Sequence, residues 1–349
     1  MHVSEIARGY AITRVIRGGW QLAGGHGTIE PERALDDLLA AFDAGVTTFD
    51  CADIYTGVEE LYGALRTRLR ETRGEDTARQ LRVHTKLVPD LTILPSVRRS
   101  DIEAIVDRSL ARLRVERLDL VQFHWWDYNE PRWLDAMGWL DELRRAGKVG
   151  LIGGTNFNTA HVREILAAGI PLASMQVQYS VLDRRPENGF AALCRAHDVA
   201  LLCYGTVAGG FLSDRWLGAP EPAAPLANRS LVKYKLIIED FGGWALFQEL
   251  LAALRRVADR HGVDIASVAS RMALQFPGVA AVIVGATSRA HLAANVAAAA
   301  IPLTAGDIGE VEAVASRGEG PIGDVYELER DRTGPHGAIM KYNLNAERV

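Results

Sequence analysis

Asp50, Tyr55, Lys86 and His124 are the side chains whose types and places could move a proton. Asp50 ends the run VTTFD, and Tyr55 follows five residues later across a strand-to-helix turn. Lys86 sits near the end of LRVHTKLV and His124 near the end of LDLVQFHW. A free tyrosine has a pKa of about 10 and is a poor acid at neutral pH. A lysine cation beside it, oriented by a carboxylate, would favour the phenolate and lower that value. Alternation along a strand supports such a meeting. It puts Arg82, His84 and Lys86 on one face, and Val83, Thr85 and Leu87 on the other. Leu120, Gln122 and His124 likewise share a face, opposite Val121, Phe123 and Trp125, and Asp50 shares one with Thr48 and Val46. With the apolar faces turned toward helices, three strand ends aim Asp, Lys and His at one place beside the Tyr55 loop. A buried Asp50–Lys86 ion pair with a satisfied core histidine is the plainer alternative. It explains each residue singly and the four together poorly.

Such a meeting needs strands that end on one side, and the rest of the chain supplies the pattern. Short apolar runs over 12–22 (with a Gly-Gly break), 46–51, 81–88, 118–125, 149–156, 173–179, 199–204 and 280–285 read as strands. Helical spacing occupies 31–44, 58–73, 100–114, 132–146, 159–168, 186–197, 244–261, 265–274, 290–300 and 304–316. Strands that alternate with helices imply right-handed crossovers and a parallel sheet. Eight such units predict an α/β fold, a single (β/α)8 TIM barrel, whose active sites lie at the carboxyl ends of the strands. The barrel is expected over 1–316, with an N-terminal extension and a long Gly/Pro-containing loop, 205–243, after the seventh strand. The tail, 317–349, reads as surface that is disordered by default, a lid, or a contact arm; Tyr326, Met340 and Tyr342 favour an ordered arm. GEGPIG at 318–323 matches GxGxxG in letters, but it follows a helix rather than a strand and contains Pro321, so it reads as a loop.

Bulk properties narrow the class. A 349-residue chain that is 48% hydrophobic and 24% charged is an ordinary globular protein with a sizeable core. Its net charge of −5 offers no general attraction to nucleic acid or anionic lipid. No apolar stretch is long enough to span a bilayer, and MHVSEIARGYAITRV lacks the apolar core of a signal peptide. Cys51, Cys194 and Cys203 form no CxxC pair, suit a reducing compartment and suggest no metal site. A cytoplasmic location is the expectation, with the oligomeric state open.

The sequence resembles the aldo-keto reductase superfamily from RGGWQL to the last helix. FDCADIY looks like that family's FDTAxxY block, which implies Asp50 and Tyr55 as catalytic; HTKL supplies Lys86 and DLVQFHWW supplies His124. The resemblance implies reduction of an aldehyde or ketone by NADPH. Tyr55 would give the proton, with its pKa lowered by Lys86 and Asp50, and His124 would hydrogen-bond and orient the carbonyl oxygen. GTNFN looks like the family's GxSNF block, so Thr155 and Asn156 would meet the nicotinamide carboxamide with Gln176, and Tyr204 would stack on the ring. Gly19 and Trp20 of RGGWQL join this cofactor set. Gly205, Gly209 and Leu212 would follow the pyrophosphate, where small residues let backbone N–H groups approach. The adenosine end departs from the pattern: Gly285 stands where many members carry lysine, and Ala294 where an acid commonly precedes Asn295. Arg289 is the nearest cation for a 2′-phosphate and Asn295 could hold the adenine, so NADP(H) is preferred by family habit and NAD(H) remains possible. Trp20, Trp125 and Trp126 would form an aromatic substrate pocket, over which Arg215 and Trp216 could close. Three further readings stay open: a nicotinamide-binding redox-sensing subunit, an NAD-dependent dehydrogenase running oxidatively, and an unrelated barrel enzyme using Lys86 as a Schiff base.

Overall fold

A computed structural model describes residues 2–24, 29–285 and 291–345. Eight parallel strands close into a barrel: β3 (Val15–Gly18), β4 (Thr48–Asp50), β5 (Arg82–Leu87), β6 (Leu118–Phe123), β7 (Val149–Thr155), β8 (Ser174–Gln178), β9 (Ala200–Tyr204) and β10 (Val279–Gly285). Before them, β1 (Val3–Ala7) and β2 (Tyr10–Thr13) form an antiparallel hairpin. The expected first strand over 12–22 is therefore divided among three elements, with β3 in the middle. Ile12 and Thr13 belong to the hairpin, and the residues after Gly19 turn into a short 3₁₀ segment, Trp20–Leu22.

The strand faces sort as alternation requires. Ile6 and Ile12 of the hairpin pack with Ile16, Leu120, Leu202 and Ala281 in an inner cluster that plugs the barrel. Val83, Val121 and Phe123 face outward into the larger core shared with the helices. The helix Val58–Arg73 shows how that outer layer is built. It starts after Gly57, whose φ of +77° suits glycine, and buries Val58, Tyr62, Leu65 and Leu69 along one stripe. Gly63 on the same helix lets it close on the next one: a Cβ there would lie 2.2 Å from Arg112 O.

One segment departs from the expectation. Within 205–243 stands a 13-residue helix, Arg229–Phe241, whose N-cap Asn228 accepts from Leu231 N–H and which buries Tyr234, Ile237, Ile238 and Phe241. Arg215 and Trp216 do not close over the mouth. Trp216 packs on Phe211 and Trp244 instead, and Arg215 is exposed beside it. The described part of the tail, 317–345, packs as the ordered arm that its aromatic residues favoured and folds back across the carboxyl ends of the strands. Glu329, fully buried, takes two hydrogen bonds from Arg185 at 2.8 and 3.0 Å. Arg330 donates to the carbonyls of Trp125, Trp126 and Asn156 and to Tyr128 OH.

Candidate active site

The registers bring the four residues together: Asp50 pairs with His84 across β4 and β5, and Lys86 with Gln122 across β5 and β6. Lys86 Nζ donates to Asp50 Oδ2 at 2.7 Å and to Cys51 O at 2.8 Å, with both side chains buried. Asp50 Oδ1 accepts from Gln176 Nε2 at 2.6 Å and Gln122 Nε2 at 3.1 Å. The carboxylate is thus held by three donors, and Gln176 also donates to Gln122 Oε1. Burial opposes the charge on Lys86, but Asp50 more than restores it and holds the ammonium above its ordinary range.

Tyr55 lies half-buried over this pair, its ring centre 5.0 Å from Lys86 Nζ and 5.2 Å from the Trp20 ring. Burial pushes its phenol up and Lys86 pulls it down; burial wins. The expected lowering by Lys86 is therefore present and outweighed, and Tyr55 is a neutral O–H donor across the physiological range. His124 is buried, edge-on to Trp126 at 4.3 Å and to Tyr326 at 5.7 Å. Its Nδ1 lies 3.1 Å from Thr155 O, an atom that only accepts, so Nδ1 carries the proton. Burial, then Arg330, depresses the imidazole pKa to about 3. The ring is neutral, and its buried, unpartnered Nε2 offers a lone pair.

All four residues line one cavity of about 280 Å³. Trp20, Trp126, Thr155, Asn156, Gln176, Tyr204, Gly205, Gly209 and Gly285 line it too. Asn156, at φ +63°, accepts from Tyr204 OH at 2.9 Å. Gly205 and Gly209 have positive φ and lie close under Tyr234, where a Cβ would come within 2.7 Å of the ring or its hydroxyl. Gln176, expected against a carboxamide, spends its amide nitrogen on Asp50 and Gln122.

Four expected site residues lie elsewhere. Trp125, two residues past the end of β6, is completely buried behind the wall against Phe123, on the helix-facing side opposite His124; it is not part of the pocket. Gly19 supports the site from outside the cavity: its N–H donates to Asp50 O, and a Cβ would lie 2.8 Å from that oxygen, from Tyr62 OH and from Val58. Leu212 is fully buried in the outer core, its N–H on Val207 O. Asn295 is half-buried on the helix Leu292–Ala298 and does not line the cavity. Arg289 lies outside the described residues. Conversely, Gln122, Ser230, Lys233 and Tyr326 belong to the site and were not expected there. Strand alternation already turned Gln122 inward; the Asn228 cap and the apolar spacing of Tyr234, Ile237, Ile238 and Phe241 were the signals for the helix carrying Ser230 and Lys233.

The model of the aldo/keto reductase family matches residues 14–316, and the chain belongs to that family. It is therefore an oxidoreductase of a family that uses nicotinamide cofactors. The NADH-specific methylglyoxal reductase of Escherichia coli is 26% identical over 312 residues, which are 85% of this chain and 92% of that protein. Flagellar radial spoke protein 5 of Chlamydomonas reinhardtii is 26% identical over 328 residues, 77% of this chain, but the chain spans only 59% of that protein. Among solved structures, the glycerol dehydrogenase of Gluconobacter oxydans superimposes with a TM-score of 0.74 at 23% identity, covering 90% of this chain and 95% of that one. At that identity the likeness speaks for the barrel alone. No helix among the described residues is long and apolar enough to cross a membrane.

Proposed function

We propose that this protein reduces an aldehyde or ketone, with NADPH as the hydride donor and Tyr55 as the proton donor. The observation that carries this reading is the buried Lys86–Asp50 pair set directly beneath a neutral Tyr55 at the floor of a cavity. NADPH, when bound, supplies hydride to the carbonyl carbon. Tyr55 gives its phenolic proton to the carbonyl oxygen. Lys86 stabilises the phenolate left behind, which matters more in a buried site than in water. Asp50 keeps Lys86 charged, and Gln122 and Gln176 hold Asp50 in place. His124 takes the complementary role: its Nε2 lone pair accepts from the hydroxyl of the alcohol.

The residues present fit a nicotinamide cofactor. Gln21 Oε1 is a buried acceptor without a hydrogen-bond partner among the described residues, beside Gly285, and Tyr204 offers a ring face in the same cavity. NAD(H) is a second reading with its own support. A Cβ at Gly285 would meet the Gln21 side chain at 2.0 Å, so no side chain, let alone a lysine, stands at the position that favours a 2′-phosphate. A relative described as NADH-specific points the same way. The Schiff-base reading is disfavoured because an ion-paired lysine held above its ordinary pKa is a poor nucleophile.

Tyr55→Phe tests the assignment. Its kcat for carbonyl reduction falls about 10²–10⁴-fold while cofactor binding persists; near-normal turnover would remove Tyr55 from the role. Titration with NADPH and NADH separately, followed by tryptophan fluorescence, decides between the two cofactors.

A further inference from the structure

We infer that the substrate carbonyl compound carries an anionic group, a carboxylate or phosphate, and that Lys233 receives it. This rests on the reductase reading and specifies its substrate class. Lys233 comes from the helix Arg229–Phe241 and lines the cavity together with Lys86, Arg229 and Lys341. Asp50 is the one acidic residue among the described lining residues, and Lys86 at 2.7 Å already matches its charge. The described cavity wall thus carries four cationic side chains against one carboxylate, with Glu329 and Asp183 behind Lys233 balancing part of that charge.

Asp183 and Glu329 together balance the charges of Arg185 and Lys233, but no described residue accepts a hydrogen bond from the Lys233 ammonium. Its nearest carboxylate is Glu329 at 3.9 Å, too long for a hydrogen bond, and both Glu329 oxygens already accept from Arg185. The ammonium otherwise faces rings: Tyr204 at 5.0 Å, and Tyr234 and Tyr326 at 5.7 Å. Its side chain is only 16% exposed, and burial lowers its pKa. A buried ammonium without a hydrogen-bond acceptor gains a charge-assisted hydrogen bond from an anion delivered to it. Position ties this cation to the chemistry. The Tyr326 ring centre is 5.7 Å from Lys233 Nζ and 5.7 Å from the His124 ring, so one tyrosine separates the anion receiver from the imidazole. All three line the one cavity, so a substrate whose carbonyl lies at His124 shares that space with Lys233. Lys341, exposed on the tail, adds positive charge at the rim.

The test compares 4-carboxybenzaldehyde with its neutral methyl ester. The wild-type protein favours the acid at least tenfold in kcat/KM at low salt, the scale of one charge-assisted hydrogen bond. Lys233→Met collapses that ratio toward one, and Lys233→Arg keeps it. Binding of the two compounds, followed through the fluorescence of Trp20 and Trp126, gives the same ratio without turnover. A wild-type ratio near one, or an unchanged ratio in Lys233→Met, overturns the inference. So does a loss of cofactor affinity in Lys233→Met with the ratio intact, which would assign the lysine to the cofactor instead. If neither aldehyde turns over but the acid still binds better through Lys233, the reductase reading falls and the anion site stands.

Discussion

His124 shows how much one hydrogen bond can decide about a side chain. Because Nδ1 is committed to Thr155 O, the neutral ring accepts at Nε2 and cannot donate there. With its pKa depressed to about 3, it does not titrate in the range where the protein would work. Its ring signals, followed by NMR, stay constant between pH 8 and 5; a midpoint near the ordinary value of about 6.5 would mean the ring is solvated and able to donate. Lys86 and Asp50 are coupled more tightly still. Lys86→Met strands a carboxylate among amide donors in a buried site, and removing one partner of a buried pair costs about 3–5 kcal/mol. Urea unfolding measures that cost, and a loss under 1 kcal/mol would mean that water reaches Asp50.

At the scale of elements, the tail and the helix Arg229–Phe241 form the upper wall of the cavity. Tyr326 packs on His124, Tyr342 on Trp126 at 5.1 Å, and Met340 lines the cavity. The buried Arg185–Glu329 pair joins this tail to the segment after β8. Burial alone would raise the Glu329 pKa, but Arg185 wins and takes it down to about 2. A carboxylate lowered in the folded state contributes stability above its unfolded pKa and loses it as pH falls through the folded value. At neutral pH that contribution is complete. Glu329→Gln therefore frees residues 317–345 at pH 7, which hydrogen exchange detects as faster exchange confined to the tail. Unchanged exchange would show that Arg330 and the aromatic contacts suffice.

For the whole molecule, two buried histidines couple stability to pH. Burial drives His84 and His124 each to about 3. The unfolded chain then binds more protons than the folded one between about 3 and 6.5, so stability falls as pH drops through that window. The penalty at pH 5 is about 2 kcal/mol for each histidine. Asp53 opposes it: burial, then Glu59, raises its pKa to about 7, so the folded state gains protons as pH falls from 7 toward 4. His84 sits at the closed end of the barrel, stacked on Tyr10 at 6.1 Å with neither ring nitrogen hydrogen-bonded. His84→Leu removes one histidine contribution without touching the cavity, and its midpoint of thermal unfolding drops less between pH 7 and 5 than that of the wild type. An equal drop would show that His84 does not carry its share.

The sequence by itself determined the barrel and the meeting of Asp50, Tyr55, Lys86 and His124. Both follow from local rules: period-two alternation decides which strand residues face inward, and eight strand–helix units leave one closed arrangement. Alternation also put Trp125 on the helix-facing side opposite His124, where it is buried, against the expectation that grouped it with Trp126 in the pocket. Tertiary structure alone decided two things. Tyr55 stayed protonated because its pKa is a contest between burial and Lys86, and burial is a property of the packed molecule. Lys233 reached the cavity through a helix and a folded-back tail, where proximity comes from segments about a hundred residues apart that no periodicity links. Local chemistry is written along the chain; which charges end up facing each other is settled only when the chain closes on itself.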